Sequence, residues 1–198
     1  MNRTTLYCLI LASCAECSIL IFLFYWAPWL DMIARYNGDI SAGSKGNAVF
    51  PDAIIYSCYL ISSILGTYLA QMYLIDIGED LLLQSALLGL SIFFFLGAGA
   101  SSPSLVFIAS IGINLCIGAY WALINLFRNR YTELMCRDTC TLIGRLIAAI
   151  LCVIILSFTY HNSSLTLILC STLMTIATYV QYLTIQIEPT TNLDQLDK

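Results

Sequence analysis

Residues 6–30 read LYCLILASCAECSILIFLFYWAPWL. Almost every position is apolar or small, yet one acid, Glu16, stands near the middle. An α-helix rises about 1.5 Å per residue and the hydrocarbon core of a bilayer is about 30 Å thick, so about 20 such residues cross it. The stretch reads as a membrane span with Glu16 roughly 16 Å deep, close to the midplane. A carboxylate at that depth costs several kcal/mol unless it is paired, protonated or reached by water. The remaining chain has to supply that environment.

Of the 198 residues, 60% are hydrophobic and only 10% are charged. Soluble domains carry about 25% charged residues, so the composition is that of an integral membrane protein whose first partner is the lipid bilayer. The formal net charge of −4 is small, and the absence of a basic stripe excludes a nucleic-acid partner. Five further apolar stretches follow, at about 50–75, 81–100, 104–127, 139–160 and 164–187. No segment alternates in the manner of a barrel strand, so the expected fold class is an all-α, six-helix transmembrane bundle.

The connections are polar. Residues 31–49 are rich in Gly, Asn and Ser and read as a flexible loop. Residues 76–80 (DIGED) form an acidic turn, 128–138 a basic loop, and His161-Asn162-Ser163 a tight turn carrying a glycosylation sequon too close to the membrane to be used. Pro103 suits the first turn of the fourth helix. The segment 188–198 reads as a disordered tail. The first span reads as a retained signal anchor, because Glu16 interrupts it and no small-x-small cleavage site follows. Arg3, Arg128, Arg130, Arg137 and Lys198 share one side of such a bundle and only Arg35 and Lys45 the other, which places both termini in the cytosol, with the plasma membrane as the expected location.

Most of the nine cysteines, Cys8, Cys14, Cys17, Cys58, Cys116, Cys152 and Cys170, lie inside spans and read as small packing residues. The CAEC run from Cys14 to Cys17 has redox or zinc spacing, but no second pair or His cluster completes a metal site. Cys136 and Cys140 stand at the membrane edge, where acylation is one option. With a single His in a turn, no facing acids and no metal constellation, an enzyme is not expected, nor is a cofactor.

Arg145 is the second anomaly. If its helix enters the membrane near Arg137, it lies about 12 Å deep on the same side as Glu16. Two arrangements satisfy these charges: an ion pair between them, or Arg145 snorkelling to the headgroups with Glu16 protonated. The ion pair accounts for both and defines a polar site, to which the fourth helix offers Asn114 and Tyr120. Gly66, Gly112 and Gly118 read as points of close helix contact. Tyr25, Trp26 and Trp29 read as an aromatic belt at the outer interface, and Pro28 as the end of the first helix.

Several of these stretches resemble the C-terminal half of the molybdate-anion transporter branch of the major facilitator superfamily. They are the acid Glu16 followed by an aromatic-rich run to Trp26-Ala-Pro28, the small residues around Gly66 (Leu65-Gly66-Thr67-Tyr68-Leu69), and Arg128, Arg137, Thr139 and Arg145 at matching spacing. The chain departs from the pattern at Ile147 and Glu133, where the family has Pro, and at the acidic 76–80 turn, where the superfamily has bases. The resemblance implies a six-helix half of a twelve-helix transporter, moving a small oxyanion such as molybdate by alternating access. It also implies a second six-helix half, from another copy or another chain, to complete the cavity. The site would comprise Glu16, Arg145, Asn114 and Tyr120, with Trp26, Pro28, Gly66, Arg128 and Arg137 as structural motif positions. The alternative is a membrane scaffold or accessory subunit that keeps the half-transporter fold without transport.

Overall fold

The structure is a computed structural model that describes residues 3–36, 52–131, 137–159 and 162–196. They form six helices: α1 (Arg3–Tyr36), α2 (Asp52–Ile77), α3 (Glu79–Ala98), α4 (Pro103–Tyr131), α5 (Arg137–Thr159) and α6 (Ser163–Leu196). All six are long and apolar enough to cross a membrane. Such helices satisfy their backbone hydrogen bonds internally, as an environment without water requires.

The helices differ in how far they are buried. The apolar windows of α1 and α4 are each 61% buried, against 22% for α2 and 17% for α5, so α1 and α4 form the centre and α2 and α5 the rim. α4 packs on α2 and α3, α1 packs on α5 and α6, α3 packs on α6, and α1 meets α4 in the middle. α2 barely touches α3, and α5 barely touches α6. This pairing is unchanged when α1, α2 and α3 are exchanged with α4, α5 and α6. Each set crosses three times, so the two sets run in opposite senses, the arrangement of an inverted repeat.

Lipid gives helices no hydrophobic reason to associate, and small residues at the contacts do the work instead. α2 and α4 approach so closely that a Cβ on Gly66 would strike the Leu115 carbonyl, and one on Gly118 the Ser63 carbonyl. Thr67 Oγ1 donates to the Gly118 carbonyl at 3.0 Å across the same seam. The related α1–α5 seam has Ser13 Oγ donating to the Gly144 carbonyl at 3.3 Å, and there a Cβ on Gly144 would meet only ordinary contacts, at 3.4 Å or more. Between α3 and α6, Ser91 and Ser171 are reciprocal, each hydroxyl reaching the other's backbone carbonyl at 3.1 and 2.9 Å.

Several expectations are corrected. Pro28 does not end α1, which runs on to Tyr36. Pro28 is exposed, as is Phe24, whose carbonyl lacks the N–H donor four residues on because Pro28 has none, so the missing bond falls on the bundle surface. The 76–80 segment is not a five-residue turn: Gly78 alone, at φ 86°, separates α2 from α3. That left-handed conformation suits glycine, and Glu79 and Asp80 then stand in the first turn of α3, where its dipole favours acids. Residues 188–196 of the expected tail are the last part of α6, with no glycine between 163 and 196 to stop it, and 197–198 lie outside the described residues.

Tyr25 and Trp29 are not an interfacial belt. They are buried in the bundle, with Trp29 filling the space that Gly97 leaves on α3. Trp26 is half-buried, its ring edge-on to Tyr59 with centroids 5.3 Å apart. Asn162 has a structural task, accepting the Leu165 N–H at 3.1 Å at the start of α6. Lys45, Glu133, Cys136, His161 and Lys198 lie outside the described residues, as do the side chains of Arg3, Arg35 and Arg137.

Candidate functional site

The acid of α1 is held from two sides. Glu16 is only 4% exposed, and Arg128 of α4 donates to its Oε1 at 2.6 Å. Nε of Arg145, on α5, stands 3.6 Å from Oε2. Each carboxylate oxygen therefore has its own guanidinium. Local geometry explains the meeting. Side chains lean toward the N-terminus of their own helix, and α1 and α4 run in opposite directions. Glu16 leans down toward the start of α1, while Arg128 leans inward from the end of α4. Arg145 enters with α5, which runs parallel to α1.

The two arginines are not equivalent. The Arg128 side chain is 9% exposed and close to the acid, a charge-assisted hydrogen bond in an apolar setting. The Arg145 side chain is 57% exposed and further away, so much of its guanidinium faces out of the bundle. With Glu16 ionised, the cluster holds two positive charges and one negative.

Tyr120 completes the site. It is fully buried on α4 and within electrostatic reach of Glu16, Arg128 and Arg145, and its hydroxyl has no hydrogen-bond partner among the described residues. An unsatisfied buried hydroxyl costs about 1–3 kcal/mol, and Tyr59, Ser110 and Gln181 hold further buried polar atoms without a partner among the described residues. Asn114 stands six residues before Tyr120, roughly 9 Å along α4, and donates to the Ser110 carbonyl of its own helix at 2.9 Å. The structure thus brings together Glu16, Arg145 and Tyr120, and leaves Asn114 higher on α4.

Arg128 is the member whose place in the site the sequence reading missed. The sequence places it as a motif position in a basic loop, whereas α4 continues to Tyr131. The signal was in the spacing: Tyr120, Ile124 and Arg128 recur every four residues, which puts them on one helix face. Arg130, next on the chain, serves a different contact. Its side chain is 46% exposed and bridges Glu79 and Asp80 at 3.1 and 3.3 Å, while Gln181 of α6 donates to the Asp80 carbonyl at 2.7 Å. The junction of α2 and α3 is clamped by α4 and α6.

Among the described residues no group of three or more His, Cys, Asp or Glu is arranged to hold a metal. The eight described cysteines are free thiols, and Cys17 and Cys170 are fully buried. An apolar groove of about 280 Å³ between α2 and α3 is lined by residues that include Gly66, Tyr73, Leu115 and Cys116, and none of the charged site residues borders it.

No protein-family model matches the chain, and no curated protein matches it.

Proposed function

We propose that the chain is a membrane transporter, or half of one, that moves a small oxyanion such as molybdate by alternating access. The observation that carries this reading is the convergence of Arg128 and Arg145 on Glu16, with a surplus positive charge at the edge of an apolar bundle. Arginine's planar fork of donors suits a tetrahedral oxyanion, and the half-exposed Arg145 has donors to spare. The unpartnered Tyr120 hydroxyl adds a neutral donor. The exchangeable pairing of α1, α2 and α3 with α4, α5 and α6 is consistent with one half of a transporter built from inverted repeats. In this reading the site faces a second six-helix half, the termini are cytosolic, and the protein resides in the plasma membrane.

The test is oxyanion uptake by cells expressing the wild-type chain, or the chain together with its second half, against Arg145→Leu at equal surface expression. Uptake is expected to fall at least tenfold in the variant. Uptake equal to wild type removes Arg145 from the site.

A scaffold that has lost transport is the second reading. It is favoured by the clamped, acidic α2–α3 junction and by α5 running unbroken through Ile147. Purification in mild detergent separates the two: a chain whose melting temperature rises with added oxyanion supports transport, and one indifferent to it supports scaffolding.

A further inference from the structure

The apolar groove between α2 and α3 ends on charge. We propose that it binds a single-chain lipid amine, with the hydrocarbon chain lying in the groove and the protonated amine facing the acids of the α2–α3 junction. This site is separate from the Glu16, Arg128 and Arg145 cluster, whose members do not border the groove.

The groove itself accounts for the chain. α2 and α3 are joined through Gly78 alone, yet they barely touch. Small residues leave the space between them, Ala70 on α2, Ala86 on α3 and Ala119 on α4. The volume is about 280 Å³. A cavity of about 150 Å³ already holds a benzene molecule. From the level of Asp76 up to Gly66 the groove follows ten residues of α2, about 15 Å of rise. Tyr73 and Ser85 on its rim are exposed, so the groove opens sideways to the bilayer. Hydrocarbon fills such a space, and its length and volume suit one extended chain.

Helical periodicity places the head. Residues three, four and seven apart share a helix face. On α2, Leu69 and Tyr73 line the groove and the same face continues to Asp76. On α3, Ala86 and Leu82 lead back to Glu79. On α4, Leu123 continues to Arg130. The three walls thus end on Asp76, Glu79 and Arg130, with Asp80 next in the chain. Asp76 is exposed and the carboxylates of Glu79 and Asp80 are partly so, which leaves them within reach of a headgroup at the membrane edge.

Charge then selects the headgroup. Three acids stand against one base, a surplus of two negative charges at the end of an apolar channel. The Arg130 guanidinium is engaged by Glu79 and Asp80, so a lipid phosphate placed there would meet surplus carboxylate. A long-chain amine brings one positive charge and no phosphate. Its ammonium carries three N–H donors, as a lysine does, and carboxylate oxygens accept them.

The test uses the full chain in a neutral maltoside detergent and three probes with the same chain: dodecylamine, dodecanol and dodecyl phosphate. Native mass spectrometry counts bound probe, and the melting temperature reads its effect on the fold. One dodecylamine is expected per chain, with a raised melting temperature and an affinity about tenfold above that of dodecanol. Dodecyl phosphate is expected to bind more weakly than the alcohol. In Asp76→Asn the advantage of the amine over the alcohol is expected to shrink. In Ser85→Phe, whose ring fills the groove from an exposed position, binding of all three is expected to be lost. Equal affinity for amine and alcohol, or a phosphate that binds as well as the amine, overturns the proposal. So does a co-purifying phospholipid that dodecylamine does not displace, since the groove then belongs to ordinary bilayer lipid. Undiminished amine binding in folded Ser85→Phe overturns it by putting the amine elsewhere. The contrast among the three probes needs only wild-type protein, so it decides the matter even if a variant fails to fold.

Discussion

The α2–α4 and α1–α5 seams occupy equivalent places in the bundle, yet they are built for different ends. In the first, glycine meets backbone and a threonine hydroxyl crosses to a carbonyl. In the second, Gly144 has ordinary clearance, the crossing hydroxyl is Ser13 on the central helix instead of a threonine on the rim helix, and Glu16 and Arg145 lie along the contact. Where Gly66 and Gly118 meet backbone, the tight seam leaves no space even for a methyl group. The looser one, with α5 held mainly by α1 alone, carries Glu16 and Arg145, while α4 supplies Arg128 and Tyr120 from the centre of the bundle. The same packing scheme thus serves as a weld on one side and as a binding edge on the other.

Three measurements break or sharpen this contrast, each by thermal or denaturant unfolding in detergent. The largest effect is expected for Arg128→Ala, about 3–5 kcal/mol, because it strands a buried carboxylate. Adding Glu16→Gln to that variant is expected to recover more than half of the loss; additive losses would mean that the pair is not coupled. Next comes Gly118→Ala, expected to cost about 2–3 kcal/mol because its Cβ meets a carbonyl and not a movable side chain. Gly144→Ala is its control, expected to be neutral or to gain up to about 1 kcal/mol from helix propensity. Equal effects at the two glycines would erase the distinction between the seams. The smallest effects are expected for Thr67→Val and Ser13→Ala, roughly 0.6 kcal/mol each, the usual size of an interhelical hydrogen bond in a membrane. A loss several times larger at Ser13 would show that the α1–α5 seam is tighter than its glycine indicates.

Much of the fold was legible because membrane spans announce themselves by length and composition. The six helices fall within a few residues of the apolar stretches, except where polar sequence continues the helix at the ends of α1, α4 and α6. Those extensions hid Arg128, since hydropathy stops where charge begins while the helix does not. The partnership of Glu16 with Arg145 was readable from depth alone, as both lie at similar heights on helices entering from one face. Burial of Trp29 was not readable, because it depends on Gly97 coming opposite from a helix more than sixty residues later in the chain. The clamp of Arg130 on Glu79 and Asp80 was likewise invisible, since its members look like ordinary surface charges.

The reciprocal serines of α3 and α6 carry a consequence for the whole bundle. A residue on the axis that swaps the two halves meets its own counterpart, so it has to be self-complementary. A hydroxyl satisfies this, because it gives and receives at once, and Ser91 and Ser171 do both. At the other self-paired contact, α1 against α4, an acid faces a base, and α4 carries no acid that would repeat the pair from the other half. Glu16 and Arg128 therefore give the bundle a sense of direction, because the two rotated halves are not interchangeable at that contact.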